Sequence, residues 1–130
     1  MRRVTVLLVA LLLGACSQSQ DRNERVVGDR VIRDASVERV GVEWRSASSS
    51  LRVSARGNLY ACESLYETEG RREGSVFLVK VEVSEPADLS NVSCEAEPRP
   101  FTEEVIFEAD LASGTYTAEA NGVTKTFTVP

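Results

Sequence analysis

The 130-residue sequence has no histidine, and that absence removes the commonest general base and the usual third member of a Ser or Cys triad. Lysine is almost as scarce. Lys80 and Lys125 are the two, both in strand-like segments with no serine placed to form a Ser–Lys dyad. There is no Gly-rich phosphate loop, no basic stripe and no C-x-x-C pair, which argues against nucleotide, nucleic-acid and thiol-redox chemistry. Three cysteines without histidine do not make a zinc site. No apolar run is long enough to cross a bilayer. The longest, Val4 to Leu13, is broken only by Thr5, and as a helix its ten residues reach ~15 Å against a ~30 Å hydrocarbon core. No aromatic residue precedes Trp44, so the first third of the chain holds little to build a core around.

What is present begins with Arg2 and Arg3, then the short apolar run, then Leu13-Gly14-Ala15-Cys16. This stretch resembles the lipobox of bacterial lipoproteins. The resemblance implies cleavage after Ala15, a diacylglyceryl group on the Cys16 thiol and an acylated new N-terminus, two or more chains being what stable anchoring takes. The other reading is an ordinary secretory signal cut at Ala15, and both export the chain. Residues 1–15 are thus expected as a lipoprotein signal peptide. Ser17 after the cysteine is not an Asp retention signal, which favours an outer-membrane address in an organism with two membranes.

Removing Arg2 and Arg3 with the signal leaves 13 basic against 20 acidic side chains, a net charge of −7. Such a surface repels nucleic acid and anionic headgroups, and it keeps a small domain soluble. With Cys16 assigned to lipid, Cys62 and Cys94 remain as an even pair. In an oxidising compartment a disulfide is the default, worth ~3.5 kcal/mol on the loop-entropy estimate.

Residues 16–36 read as a lipidated tether. Asp21, Glu24, Asp29 and Asp34 balance Arg22, Arg25, Arg30 and Arg33. As a flexible chain, residues 17–36 would hold the domain ~25 Å from the membrane. Val26, Val27, Val31 and Ile32 offer a first edge strand, in which case the tether ends near Arg25.

Residues 37–130 carry period-two alternation. Val40, Val42 and Trp44 form one series and Leu51, Val53 and Ala55 a second. Phe77, Val79, Val81 and Val83 form a third. Val105 and Phe107 follow Phe101, and Tyr116, Ala118 and Ala120 precede Val123, Phe127 and Val129. Turn signals fall at Ser46 to Ser50, Gly57-Asn58, Gly70 to Gly74, 84–100 and Asn121-Gly122. The 84–100 stretch, with Pro86, Pro98 and Pro100, is expected to be mostly loop, with room for one edge strand. Asn121-Gly122 is the strongest, because both residues tolerate the positive φ of a type I′ turn, and it predicts a tight hairpin pairing Ala120 with Val123. The expected class is all-β, an antiparallel sandwich of about seven strands.

Leu111-x-x-Gly114-x-Tyr116 followed by Asn121-Gly122-Val123-x-x-x-Phe127 resembles the last two strands of immunoglobulin-like domains. The resemblance implies that Tyr116 is a tyrosine-corner residue bonded to backbone a few residues upstream. Together with Cys62, Cys94 and Pro100-Phe101-x-Glu103-Glu104, the pattern looks like a group of small exported bacterial domains, often lipid-anchored. Antibody-type domains pack a tryptophan on a disulfide between central strands. Here Trp44 precedes both cysteines, so the bridge is expected as a loop staple.

The remaining chemistry is sparse. Glu103 and Glu104 are neighbours on a strand and point to opposite faces, which prevents joint acid–base work. Glu85, Asp88 and Asn91, with Ser84 and Ser90, supply hard oxygens, but at no EF-hand spacing, so solvated loop polarity is preferred over a Ca²⁺ site. Tyr60 and Tyr66 are candidates for a recognition face, and Trp44 is expected in the core. Asn91-Val92-Ser93 matches a glycosylation sequon but has no meaning in a bacterial lipoprotein. The expected function is a monomeric, non-enzymatic, lipid-anchored envelope module, without cofactor, that binds or spaces an envelope protein. The alternative is an inhibitor-like or ligand-binding module presenting the 84–100 loop to an exported protein.

Overall fold

A computed structural model describes residues 23–130 of the chain. The signal, Cys16 and most of the residues between it and the first strand lie outside the described residues. Nine strands follow: β1 Arg25–Val27, β2 Arg30–Asp34, β3 Ser36–Arg45, β4 Ser50–Ala61, β5 Ser64–Glu73, β6 Val76–Pro86, β7 Glu95–Glu108, β8 Gly114–Ala120 and β9 Val123–Val129. They form a six-stranded and a three-stranded sheet, the latter ordered β3-β4-β7. The expected all-β sandwich is what the chain builds, with nine strands among the described residues rather than about seven.

β6 is the spine of the larger sheet. β5 pairs along one of its edges. The other edge is shared: β2 takes the C-terminal half, from Asp34↔Glu82 to Arg30↔Pro86, and β8 takes the N-terminal half in parallel, from Val76↔Thr117 to Val79↔Ala120. β1 and β9 lie outside β2 and β8. The single parallel contact is the one departure from antiparallel pairing.

The core lies between the sheets. Leu51, Val53 and Ala55 from β4 and Phe77, Val81 and Val83 from β6 are fully buried, in the alternation the sequence shows. Phe77, near the start of β6, gathers an aromatic cluster at one end of the core. Its ring meets Phe107 edge-on at 5.1 Å, with Tyr116 at 6.2 Å and Phe127 at 6.3 Å. Trp44 packs against this core, half-buried. Arg72 covers the Phe77 ring from β5 at 5.0 Å.

Four points are decided by the tertiary structure. First, β1 and β2 are strands of the domain, the alternative that Val26, Val27, Val31 and Ile32 offered, so residues 25–36 belong to the folded unit. Gly28-Asp29 turns the chain between β1 and β2, with Gly28 at φ 62°. Second, Gly57-Asn58 is not a turn. β4 runs through it, and a Cβ at Gly57 would stand 1.8 Å from the Ser36 carbonyl oxygen. Glycine is there because β3 enters against β4's backbone. Third, Gly70 is mid-strand. The turn is Gly74-Ser75, with Gly74 at φ 60°, while an added Cβ on Gly70 would lie 2.5 Å from Val105. Fourth, the 84–100 loop shrinks to 87–94. Pro98 and Pro100 sit inside β7, which is an edge strand and tolerates residues without an N–H.

Candidate functional site

The end of the sandwich where β4 and β6 finish carries the Cys62–Cys94 disulfide, with Cα atoms 4.8 Å apart. It joins the two-residue β4–β5 connection, Cys62-Glu63, to the end of the 87–94 loop. The bridge is a staple between connections, not a bond between central strands.

The connection is held tightly by its own backbone. Ala61 adopts φ 49°, a left-handed conformation costly for a residue with a Cβ. Arg99 stabilises it by donating to the carbonyls of Ala61 at 3.1 Å and Glu63 at 2.6 Å. The Glu63 carboxylate, almost fully buried, accepts from the Tyr60 backbone N–H at 2.8 Å, and the Glu63 N–H returns a bond to the Tyr60 carbonyl. Arg33 and Glu85 form an ion pair on the side of the sheet that carries Val83. Polar groups thus close this end of the core.

The segments that meet at this end also carry exposed apolar side chains. Tyr60 is 43% exposed, Leu65 39% and Tyr66 46%, while Leu89 and Val92 in the stapled loop are each 44%. Val26 and Val27 of β1 add to the exposed apolar residues. Of these, Tyr60 and Tyr66 are the recognition candidates that the sequence offers. Leu89 and Val92 gave no signal, since a lone apolar residue in a polar loop has no period to read.

Beside Tyr66, the outer face of the larger sheet has its own small buried layer. The Arg25 guanidinium lies 5.8 Å from the Tyr66 ring centre and grips the buried Glu82 carboxylate with both terminal nitrogens. That hydrogen bond holds Glu82 below the usual carboxylate range, against the opposing effect of burial, with Lys80 helping. Arg30 donates to the Ser84 hydroxyl at 3.0 Å and to the Ser64 hydroxyl at 3.3 Å. Ile32 is fully buried, and opposite Ser84 it falls on this outer face.

The other sequence candidates fall elsewhere. Glu85 is engaged with Arg33, and Asp88 accepts from the N–H and hydroxyl of Ser90 at 2.9 and 2.6 Å, which draws its pKa down. Among the described residues, no three acidic or cysteine side chains gather as for a metal ion. Glu104 is exposed and 3.8 Å from Arg52, and Glu103 lies on the opposite face of β7. Tyr116 donates its hydroxyl to the Ala112 carbonyl at 2.7 Å. Asn121 and Gly122 form the two-residue turn between β8 and β9, at φ 47° and 88°.

Asn121 does more than turn the chain. Its side-chain oxygen accepts from the Val81 N–H at 3.0 Å, and its amide donates to the carbonyls of Ala35 at 2.9 Å and Val81 at 2.8 Å. It fills the gap on β6's edge between β2 and β8, supplying the bonds that a strand residue would make. Nearby, Asp34, Glu69, Arg71, Lys80, Glu119 and Gly122 line an open cleft of about 850 Å³.

No curated protein and no solved structure matches the chain. The family model described as the ORF11 beta-sandwich domain matches residues 53–129, which takes in β5 to β9, the disulfide and the Asn121 turn. This is more than half of the chain, and the chain belongs to that family.

Proposed function

We propose that this protein is a lipid-anchored module of the bacterial envelope, without catalytic activity, that binds a protein partner through its disulfide-stapled end. The observation that carries the reading is that the segments meeting at this end carry exposed Tyr60, Leu65, Tyr66, Leu89 and Val92, next to a connection fixed by Cys62–Cys94 and Arg99. Rigid aromatic and aliphatic side chains on a pre-formed surface lose little entropy on contact and are what binding hot spots are made of. The anchor rests on Leu13-Gly14-Ala15-Cys16.

Arg25 faces Ile32 and Val27 faces Arg30, so β1 runs toward the stapled end, and exposed Val26 and Val27 lie beside it. The inhibitor-like alternative uses the same end, with Leu89 and Val92 on the 87–94 loop as the inserted residues.

The test is photo-crosslinking in cells from the full chain. A crosslinker at Tyr60 or Val92 is expected to capture a discrete exported protein, whereas one at Thr124 in β9 is not. Equal capture from both positions overturns the assignment of the binding end. An exported protease as the captured protein moves the reading to the inhibitor-like alternative. Cys16→Ala is expected to release the protein from membranes, and membrane retention of a processed Cys16→Ala form removes the lipid anchor.

A further inference from the structure

A sheet edge exposes unpaired N–H and C=O groups, and proteins guard such edges with prolines, charges, bulges or brevity. Among the described residues five strands are edges. β1 has three residues. β3 is interrupted by a bulge between Val37 and Arg39. β7 carries Pro98, Pro100 and five glutamates. β9 sets Lys125 on the face it shares with Val123 and Phe127. β5 differs. It is ten residues long, has no proline, and is exposed at every position except the half-buried Thr68. Its one irregularity lies between Leu65 and Glu67, so Glu67 to Glu73 is a regular, open edge.

The charges on this edge have an order. Glu67 and Glu69 precede Gly70, and Arg71 and Arg72 follow it. We propose that β5 pairs with β5 of a second copy of this chain, antiparallel and centred on Gly70, joining two six-stranded sheets into one. A two-fold axis normal to an antiparallel ladder passes through a pair of directly opposed residues, so one residue of β5 must face itself. Centring on Glu67, Glu69, Arg71, Arg72 or Glu73 opposes like charges at the axis. Centring on Thr68 sets Glu67 against Glu69. Centring on Gly70 sets Glu69 against Arg71 twice over and Thr68 against Arg72, and opposite charges across strands are stabilising.

The same register brings Arg71 of the second copy diagonal to Glu67, with Glu67 and Glu73 opposed at the ends of the paired segment. In the single chain a hydrogen bond to the Glu69 carboxyl, and then its charge, push the Glu67 pKa up, and an incoming guanidinium favours the charged form. Arg71 is free to turn, since its one partner is Glu73 at 2.9 Å with both side chains exposed. Tyr60, Leu89 and Val92 lie outside β5, and Leu65 and Tyr66 precede its paired segment Glu67 to Glu73, so the pairing and the stapled-end reading stand or fall separately.

Sedimentation of the full mature chain in detergent tests the proposal. A reversible dimer is expected, weakened about tenfold or more by E69R or by R71E alone, because each makes two opposed pairs repulsive. Combining E69R with R71E in one chain restores opposite charges and is expected to restore the dimer. A chain that stays monomeric up to its solubility limit, or a dimer indifferent to the single reversals, overturns the proposal. A second measurement does not depend on charge. Mixing E69C chains with R71C chains should form a crosslinked dimer faster than either alone, and equal rates reject the Gly70 register.

Discussion

At the residue scale, Asn121 carries more of this fold than its place in a turn suggests. It holds a positive φ and makes three hydrogen bonds to Ala35 and Val81, where the larger sheet has no strand to complete it. Removing the side chain leaves the Val81 N–H and the Ala35 carbonyl without these partners in a partly buried place, while the Val81 carbonyl keeps only the Ala35 N–H. Asn121→Ala is therefore expected to lower stability by ~3 kcal/mol in chemical unfolding, more than a single lost bond explains. Glu82 sets a pH dependence. Its folded pKa is held below the ordinary carboxylate value by Arg25 first, so its contribution is present above the unfolded pKa of ~4.3 and is lost as pH falls through the folded pKa. Glu67 acts in the opposite sense, since its raised pKa favours the folded state only once it is protonated. Thermal unfolding followed from neutral pH downward should show the midpoint dropping below the ordinary carboxylate range. Arg25→Gln should flatten that drop. An unchanged slope in the variant would show that Glu82 is not its source.

At the element scale, β3 and β4 are fixed by a close backbone approach. Ser36 begins β3 directly after the chain crosses from the larger sheet at Ala35, whose N–H still bonds to the Val81 carbonyl. The crossing presses the Ser36 carbonyl onto Gly57, where no Cβ fits. Gly57→Ala is expected to cost ~3 kcal/mol, because relief requires backbone movement in two strands rather than a rotamer change. A neutral effect in equilibrium denaturation would mean that β3 enters elsewhere. β5 shows the reverse relation. Gly70 lets it approach Val105, and Arg72 over Phe77 takes the place of an apolar residue, so a strand with almost no buried side chain still closes the core.

At the scale of the whole molecule, the two ends of the sandwich differ. One is closed by the aromatic group of Phe77, Phe107, Tyr116 and Phe127, and the other by a disulfide and polar groups. Where the core is polar, covalent connection replaces apolar burial as the main constraint. Replacing both Cys62 and Cys94 by serine is expected to lower stability by ~3.5 kcal/mol on the loop-entropy estimate. Hydrogen exchange should then speed first in residues 60–66 and 87–99, with the 114–129 hairpin still protected. Uniform loss of protection would show that the staple supports the whole domain rather than one end.

Features that depend on near neighbours in the chain are legible from the residues alone. Alternation placed the inward faces of β3, β4, β6, β8 and β9, because successive side chains of a strand must point opposite ways. Asn121-Gly122 set the β8–β9 register through two positive φ angles. Two cysteines left over in a chain expected to be exported indicated their pairing. Tertiary structure decided the rest. Gly57 and Gly70 look like turns in the sequence, and only the strands packed on them show why they are glycine. Pro98 and Pro100 suggested a loop, yet β7 holds them because its neighbour lies on one side only. β5 has no alternation to read, for its pairing with β6 rests on backbone bonds. The stapled end was legible in Cys62, Cys94, Tyr60 and Tyr66. Arg99, Glu63, Leu89 and Val92 join it only because chains distant in sequence meet there.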